Sequence, residues 1–305
     1  MAMEPLDGAS TAPVSYDVKG SLELTGDKRQ LGNQLWWTDN TMSYDWNERS
    51  EFARFSPEWY EDIDQRWLQS VRLFTGASNP FEELMDLPSI SGKRVLEIGC
   101  GMGFHTEMML RAGANLTSID LSETSVKSTR RRLEVKGLAG DVRQMDAEQL
   151  EFEDNEFDMV WSWGVIHHSA HTGRILDQIR RSLKPGGDVR LMVYNLDGTQ
   201  AYVTMMRRYL LGFWRGKSLD EQLWRDTDGF TARFYTRDQW RDLLSVFFDH
   251  SEIRAFGHDA DALPLPRQLR RPLLKLIPVQ RQMRMANSRG LMLFSKSQGP
   301  RQRAA

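Results

Sequence analysis

Residues 95–103 constrain the fold of this chain more than any other segment does. They read Val-Leu-Glu-Ile-Gly-Cys-Gly-Met-Gly. The apolar residues at the start are typical of a short buried strand, and the alternating glycines allow the backbone to turn sharply and to approach a ligand with no Cβ in the way. A helix is predicted over 104–112. A strand, a glycine-rich turn and a helix N-terminus in this order predict a cradle for a nucleotide-containing cofactor.

The spacing of the glycines distinguishes between cofactors. The dinucleotide fingerprint G-x-G-x-x-G would need a glycine at position 104, which is Phe104. With Glu97 included, the segment resembles instead motif I of class I S-adenosylmethionine-dependent methyltransferases, E/D-x-G-x-G-x-G. The alternative is an ordinary strand, turn and helix in which the glycines are incidental.

Two acidic residues further along the chain extend the resemblance. A second predicted strand, 115–119, ends at Asp120, where a carboxylate suits the two hydroxyls of a ribose; this spacing alone would also fit a dinucleotide enzyme. The resemblance implies that Asp120 binds the ribose of S-adenosylmethionine and that the pair Asp146-Ala147 contacts its adenine. The residues that it assigns to the cofactor are Glu97, Gly99, Cys100, Gly101, Gly103, Asp120, Leu121, Asp146, Ala147, Ser162 and Trp163.

The order of the next elements also matches this family. A predicted strand over 158–163 leads into Gly-Val-Ile-His-His, a helix over 173–183, Lys-Pro-Gly-Gly and a strand over 188–194. The match covers residues 92–195 and is typical of a methyltransferase domain found in many small-molecule enzymes. It implies an α/β fold with a Rossmann-like, seven-stranded, mostly parallel sheet, helices on both faces and an antiparallel last strand. We expect parallel strands near 93–98, 115–119, 141–145, 157–163 and 187–194, and final strands near 251–256 and 290–296.

The segments on either side of this core are rich in aromatic residues. The first of them carries Trp36, Trp37, Tyr44, Trp46, Phe52, Phe55, Trp59, Tyr60 and Trp67. We interpret 36–46 as a lid over cofactor and acceptor, with packing on the sheet as the alternative, and Trp59 and Trp67 as core residues. An insertion over 196–235 has the spacing of an amphipathic helix that lines an acceptor pocket, although a core helix would give the same pattern. The candidate substrate-pocket residues are Trp36, Trp37, Tyr44, Tyr194, Tyr202, Met206 and Tyr235.

The chain is therefore expected to divide into five segments. They are a flexible arm (1–30), an aromatic helical lid (31–90), the S-adenosylmethionine-binding core (91–195), the acceptor-pocket insertion (196–235) and the C-terminal part of the fold (236–305). The stretch 262–305 has ten basic residues and no acidic one, and its prolines prevent one long helix. It is either a solvated loop between the last two strands or a patch for an acidic partner, such as an acidic or carrier-borne acceptor, a carrier protein or anionic lipid.

His167 and His168 are the candidate catalytic residues. They follow the fourth predicted strand, at the edge where ligands bind in open α/β sheets, and imidazole suits proton transfer near pH 7. Methyl transfer to an O, N or C nucleophile, which leaves S-adenosylhomocysteine, mainly requires that the acceptor be positioned and water excluded. A base helps where the acceptor keeps a proton; the alternative is that the histidines cap or pack. No carboxylate cluster accompanies them, so no metal is expected.

Composition excludes several other classes of protein. The net charge of −2 gives no overall attraction to nucleic acid, no apolar stretch has the length of a membrane span, and the first residues lack the pattern of a signal peptide. With a single cysteine, the chain is expected in the cytoplasm. The predicted function is methylation of a small-molecule or carrier-borne acceptor. The alternatives are a nicotinamide-dependent oxidoreductase, disfavoured by Phe104, and a non-catalytic cofactor-binding protein that retains the fold.

Overall fold

The computed structural model describes residues 26–44, 50–210, 223 and 227–301 of the chain. Within them, one sheet holds eight strands in the order β3-β2-β1-β4-β5-β8-β7, with the short strand β6 beside the end of β5. The strands are β1 (Arg94–Ile98), β2 (Asn115–Asp120), β3 (Asp141–Gln144), β4 (Phe157–Trp163), β5 (Leu183–Asn195), β6 (Phe234–Tyr235), β7 (Phe248–Phe256) and β8 (Met292–Pro300).

Helices cover both faces of this sheet. One core joins the sheet to α6 and α8, and the other joins it to α2, α3 and α4. The helices are α1 (Gly26–Asp39), α2 (Pro57–Ser70), α3 (Phe81–Met85), α4 (Phe104–Arg111), α5 (Glu123–Val135), α6 (Thr172–Ser182), α7 (Thr199–Leu210), α8 (Arg237–Phe247), α9 (Asp259–Ala262), α10 (Arg267–Leu274) and α11 (Val279–Ser288). Among the described residues, no helix combines the length and the apolarity that crossing a membrane requires.

The predicted alternation of strands and helices is confirmed. Strand β1 lies inside the sheet, parallel to β2 on one side and to β4 on the other. Its residues are buried from Val95 to Ile98 because helices pack on both faces, which is why this strand has an apolar run rather than a simple alternation. Parallel neighbours need crossover connections, and the helices between the strands provide them.

The C-terminal strands complete the sheet in the predicted antiparallel manner. Strand β8 pairs antiparallel with both β5 and β7 and lies between them. The connection from β7 to β8 is not the solvated loop that we considered: it forms α9, α10 and α11. Pro266 and Pro278 each precede the first turn of a helix, where a missing N–H is tolerated. The prolines thus separate short helices, as predicted, and the patch for an acidic partner stays a prediction.

The expected division of the chain into five segments stays a prediction, and several residues of its outer segments lie outside the described part. Residues 1–25 of the predicted arm lie outside the described residues, and α1 already begins at Gly26. Trp46 and positions 211–222 and 224–226 of the insertion also lie outside the described part. Helix α2 takes in Trp59 and Trp67, which are buried as core residues, as we expected.

A buried arginine joins the N-terminal helices to the core. The side chain of Arg132 on α5 is only 2% exposed; Nη1 and Nη2 donate to the two carboxylate oxygens of Asp64, and Nε donates to Glu107 Oε2 at 2.7 Å. Asp64 lies on α2 and Glu107 on α4, so one guanidinium holds three helices together. Arginine suits this role because its planar head can donate to two carboxylates at once.

Replacing Arg132 with Met should destabilise the fold strongly. The substitution leaves the carboxylates of Asp64 and Glu107 without their common cation in a poorly hydrated place, which typically costs about 3–5 kcal/mol. The free energy of unfolding in urea measures the loss. Arg131→Met is the matched control, because Arg131 pairs with the exposed Glu134 and such surface pairs contribute about 0–1 kcal/mol. Equal losses in the two variants would contradict the role of Arg132.

Candidate cofactor and acceptor site

The glycine turn between β1 and α4 has the backbone geometry that its glycines predict. Gly99, Gly101 and Gly103 have φ angles of 85°, 52° and 80°, which L side chains rarely adopt. A Cβ on Gly99 would lie 2.1 Å from Val165 Cγ2, whereas a Cβ on Gly101 would meet nothing within 4 Å. The first glycine is therefore required for packing, and the second leaves open space beside its backbone.

That open space belongs to a cavity of about 290 Å³ at the carboxyl ends of the parallel strands. Of the residues that the sequence predicted for cofactor or acceptor, twelve line it: Trp37, Tyr44, Gly99, Cys100, Gly101, Asp120, Leu121, Asp146, Ala147, Trp163, His168 and Tyr194. The volume lies near the lower end of the range for small-molecule sites, about 300–1,000 Å³. The structure thus brings together residues that are spread over most of the described chain.

The other predicted residues do not line this cavity. Tyr202 and Met206 on α7 are 46% and 59% exposed, so the helix of the insertion presents them to solvent. Ser162 donates to Ile98 O at 3.0 Å and thereby links β4 to β1. Tyr235 donates its hydroxyl to Thr172 Oγ1 at 3.1 Å and packs against the core. The residues outside the cavity wall are Trp36, Glu97, Gly103, Ser162, His167, Tyr202, Met206 and Tyr235.

Glu97 is a buried carboxyl behind the glycine turn. Its Oε2 accepts from Thr106 Oγ1 at 2.5 Å and from Ser118 Oγ at 2.7 Å. Its Oε1 is buried with no hydrogen-bond partner among the described residues. Burial raises the pKa of Glu97 to about 7, and the two hydroxyl donors only partly oppose this.

Asp120 fastens the turn to the end of β2. Its Oδ2 accepts from Gly101 N at 3.0 Å, and its Oδ1 accepts from Ser122 N at 2.9 Å. Burial raises the pKa of Asp120 from its usual value, and the backbone N–H donors act in the opposite direction. Each carboxylate oxygen still has a lone pair, so Asp120 can accept from a ligand in the cavity without losing its contacts to the backbone.

Helix α1 closes one side of the cavity through polar side chains that sequence reasoning missed. Gln30 Nε2 donates to Asp146 Oδ1 at 2.9 Å, and Asn33 Nδ2 donates to the backbone oxygen of His168 at 2.7 Å. Both residues line the cavity beside Trp37. The sequence of α1 shows only a weak amphipathic pattern. The one signal for a role in the cavity is that the amide side chains of Gln30 and Asn33 stand next to the aromatic-rich segment.

The two neighbouring histidines have different environments. His168 lines the cavity, and its Nδ1 lies 2.6 Å from Thr231 O, so Nδ1 carries the proton and Nε2 keeps its lone pair. Burial lowers the pKa of His168 to about 4. His167 is fully buried behind it, and its ring nitrogens make no well-formed hydrogen bond within the described part of the chain. Of the pair, only His168 can reach a ligand.

Trp67, His105 and His258 are among the other cavity residues that were not predicted for the site. Trp67 was assigned to the core, and it fills both roles. His105 is the second residue of α4, and its position directly after the glycine turn is the signal that could have found it. In the ranges that the structure describes, no group of three or more His, Cys, Asp and Glu side chains could hold a metal ion.

The stability of the fold should depend on the ionisation of Glu97. Because its pKa is higher in the folded chain than the ordinary value of 4.5, the folded state binds the proton more tightly. The stabilisation is complete below about pH 4.5 and is lost as the pH rises through about 7. Glu97→Gln should therefore gain stability relative to the unsubstituted chain between pH 5 and pH 8.5, by about 1–3 kcal/mol. Urea unfolding at both pH values measures this change.

Glu148→Gln is the control for that experiment. Although burial opposes the effect, hydrogen bonds from Ser169 and His171 lower the pKa of Glu148. The stabilisation by the Glu148 carboxylate is therefore present at neutral pH and lost in acid, the opposite of the behaviour of Glu97. Replacing Glu148 with Gln should lower the free energy of unfolding at neutral pH. If Glu97→Gln instead loses stability relative to the unsubstituted chain as the pH rises, the carboxyl of Glu97 is ionised in the folded chain.

Comparison with known proteins gives consistent matches. Residues 96–191 match the family of methyltransferase domains. The ubiquinone biosynthesis O-methyltransferase of Pseudomonas aeruginosa is 37% identical over 153 residues, which cover 48% of this chain and 64% of that protein. The protein of the same name from Maricaulis maris is 33% identical over 159 residues, covering 49% and 62%. The match thus spans less than two thirds of the length of these curated relatives.

A solved structure shares the fold over a larger part of the chain. It is a chain from the complex between the Haloferax volcanii Trm112 methyltransferase activator and a methyltransferase. The TM-score is 0.54 at 17% sequence identity, and the superposition covers 81% of this chain and 94% of that one. The Rossmann-like sheet predicted from the sequence is confirmed by this likeness.

Proposed function

We propose that this chain, in which residues 96–191 form a class I methyltransferase domain, transfers a methyl group from S-adenosylmethionine to a hydroxyl oxygen of a small aromatic acceptor. One observation carries the proposal: the glycine turn, Asp120, Asp146 and His168 line a single cavity. A nicotinamide oxidoreductase is not favoured, since the family match is to methyltransferases. The predicted cytoplasmic location remains a prediction.

The residues of the cavity fit S-adenosylmethionine. The open space over Gly101 accommodates a ligand that a side chain would displace. Asp120 would hold the ribose through its free lone pairs, and Asp146 with Ala147 would contact the adenine. When bound, the cofactor supplies an activated methyl group on a sulfonium centre.

The lining of the rest of the cavity suits a flat acceptor. Trp37, Tyr44, Trp163 and Tyr194 present aromatic rings to it. The relatives from Pseudomonas aeruginosa and Maricaulis maris are named for O-methylation in ubiquinone biosynthesis. These points support an aromatic hydroxyl as the methylated group and leave nitrogen and carbon acceptors less favoured.

His168 would act as the base for that hydroxyl. A phenol has a pKa of about 10 and keeps its proton at neutral pH. Neutral His168 presents Nε2 as an acceptor, because Nδ1–H is held by Thr231 O, and Nε2 can take the proton as the oxygen becomes a nucleophile. Its pKa of about 4 keeps the ring unprotonated at neutral pH, and the same burial makes it a weaker base than an exposed imidazole.

Helix α1 would exclude water during the reaction. Gln30 of α1 donates a hydrogen bond to Asp146, and Asn33 donates one to the backbone oxygen of His168. Ser122 Oγ in turn donates to the backbone oxygen of Trp37 at 3.1 Å. A dry cavity strengthens every polar contact inside it. We therefore retain the lid for the first part of the aromatic segment, and we assign Trp37 and Tyr44 to it.

Substitutions in the cofactor wall should separate this function from the oxidoreductase alternative. Calorimetry should detect binding of S-adenosylhomocysteine and no binding of NAD. Asp120→Ala should weaken S-adenosylhomocysteine by about 1.5–3 kcal/mol, the range for hydrogen bonds to a charged group. Gly101→Val should abolish binding, because the side chain enters the ligand's space.

Gly137→Val is the matched control for Gly101→Val. Gly137 also has a positive φ, 65°, and a Cβ there would also meet nothing within 4 Å. It lies after α5 and outside the cavity wall, so its replacement strains the backbone equally and leaves binding unchanged. Equal loss of affinity in both valine variants would show a general effect on folding and would refute the assignment of the site.

Turnover should depend on His168 more than on His167. Transfer of label from methyl-labelled S-adenosylmethionine to catechol and to 3,4-dihydroxybenzoate measures kcat. A general base contributes about 10²–10⁴-fold, so His168→Ala should lose that much with an unchanged affinity for S-adenosylhomocysteine. The exposed His250 provides the control variant His250→Ala. If His168→Ala keeps more than a tenth of kcat, positioning alone activates the acceptor.

A further inference from the structure

We propose that helix α10 (Arg267–Leu274) docks this chain on an anionic lipid bilayer. An outward-facing row of leucines inserts between the lipid headgroups, and basic side chains beside it meet the lipid phosphates. This surface is separate from the residues that would bind the cofactor and the acceptor, so the inference goes beyond the proposed function and does not depend on it. It assigns a partner to the basic stretch 262–305.

The apolar face of α10 is turned toward solvent. Leu269 and Leu273 share one side of the helix, because residues four positions apart are neighbours there, and they are 57% and 42% exposed. Leu276 N donates to Leu273 O at 3.0 Å, so the chain makes one more turn and Leu276, 81% exposed, extends the same side. A surface helix normally turns its apolar residues toward the core. These three leucines, here called the leucine face, do the opposite.

Contacts on the other side of α10 hold it in this orientation. Leu274 is 4% exposed and belongs to a core cluster with Leu73 and Ala286. The buried Gln282 of α11 donates through Nε2 to Leu274 O at 2.8 Å and to Ile277 O at 2.7 Å. Turning the leucine face inward would break these contacts, so its exposure is a property of the folded chain.

The surface around the leucine face is basic. Residues 262–305 include ten basic residues and no acidic one, and Arg271 and Lys275, which alternate with the leucines along the chain, are exposed. The acidic residues just before this stretch are already engaged, since Asp259 is in an ion pair and Asp261 is buried. The surface therefore combines exposed apolar side chains with positive charge.

An anionic bilayer complements both properties at once. An interfacial helix places its apolar face at the boundary between headgroups and acyl chains, while Lys and Arg side chains are attracted to anionic lipids. A second copy of the chain paired through the same face would bring like charges together. The phosphates of a nucleic acid would match the charge but would leave the leucines without an apolar partner.

The docking helix is connected directly to the candidate site. His258, one residue before α9, and Leu291, three residues after α11, both line the cavity. The connection that contains α10 therefore leaves the cavity wall and returns to it. Docking through α10 would hold the chain to the bilayer by an element that is joined to the cavity at both ends.

Flotation of the full chain with lipid vesicles tests the inference. Vesicles with equal parts of phosphatidylglycerol and phosphatidylcholine should bind the chain at least roughly tenfold more tightly than vesicles of phosphatidylcholine alone, since each Lys or Arg near an anionic surface contributes about fivefold. Added salt should weaken the binding. Leu269→Gln with Leu273→Gln should reduce the partition coefficient at least roughly tenfold, and Arg271→Gln with Lys275→Gln should reduce it roughly twentyfold.

Each double variant has a matched control with the same spacing. Leu31→Gln with Leu35→Gln replaces two leucines that are 55% and 47% exposed on α1, a helix with two acidic and two basic residues. Lys127→Gln with Arg131→Gln removes the same charge from α5, where acidic neighbours pair with both side chains. Both controls should bind anionic vesicles as the unsubstituted chain does. An equal loss in a control would place the contact elsewhere and refute the role of α10.

Three further results would overturn the inference. Equal binding to both kinds of vesicle, or binding to neither, shows that the chain has no preference for an anionic bilayer. Loss of binding in the basic variant with no loss in the leucine variant shows that the surface recognises charge without insertion. A dimer seen by light scattering without lipid, and dissociated by Leu269→Gln with Leu273→Gln, shows that a second copy covers the leucine face.

Two measurements confirm that a loss of vesicle binding is not a loss of folding. The leucine variants change exposed side chains only, so they should keep the thermal midpoint of the unsubstituted chain. Calorimetry with S-adenosylhomocysteine should give the same affinity for every variant. A failure of the proposed function is seen separately, because the unsubstituted chain would then not bind S-adenosylhomocysteine whether or not it binds vesicles.

Discussion

The hydrogen bonds between the glycine turn and β2 are the contacts on which the site depends. Gly99 N and Cys100 N both donate to Ile119 O, at 2.7 and 3.1 Å, and Gly101 N donates to the carboxylate of Asp120. A loop of glycines would otherwise have many conformations, and its ordering costs more entropy than that of other residues. Pinning it to the adjacent strand places the start of α4, the open space over Gly101 and Asp120 in a fixed relation.

The aromatic N-terminal segment is part of the same folded unit as the cofactor core. Arg132 connects α2 to α4 and α5, and α1 bonds to Asp146 and to the backbone of His168. The segment therefore contributes to stability as well as to the cavity wall. The cavity wall depends on this union, because Trp67 belongs to α2 while His105 and Trp163 belong to the core.

The fold could be predicted from the sequence because its signals are local. Short apolar runs, glycines with positive φ and helix-capping residues each act within a few positions, and the strands and helices of 94–195 follow from them. Side-chain direction is not local in this sense. His167 and His168 are adjacent and chemically equal, and only the short helical turn over Ile166–His168 directs one of them to the cavity. The spacing of the apolar residues around Tyr202 and Met206 correctly predicted a helix. The same spacing does not determine whether that apolar face packs on the protein core, lines a pocket or is exposed to solvent.

The position of β8 has a consequence for the order in which the structure can form. Its Ser295 Oγ donates to Leu191 O, 104 positions earlier in the chain, and in the described sheet β7 has no other strand partner. Contacts between residues so far apart in the sequence form late in folding, because bringing them together costs the conformational entropy of the long intervening loop. Until β8 inserts, β5 and β7 have open edges of the kind that promote aggregation. Leu291 and Met292 also line the cavity, so the cavity is completed only when β8 inserts. A slow insertion of β8 would therefore delay ligand binding, and it would also lengthen the time for which the edges of β5 and β7 are exposed.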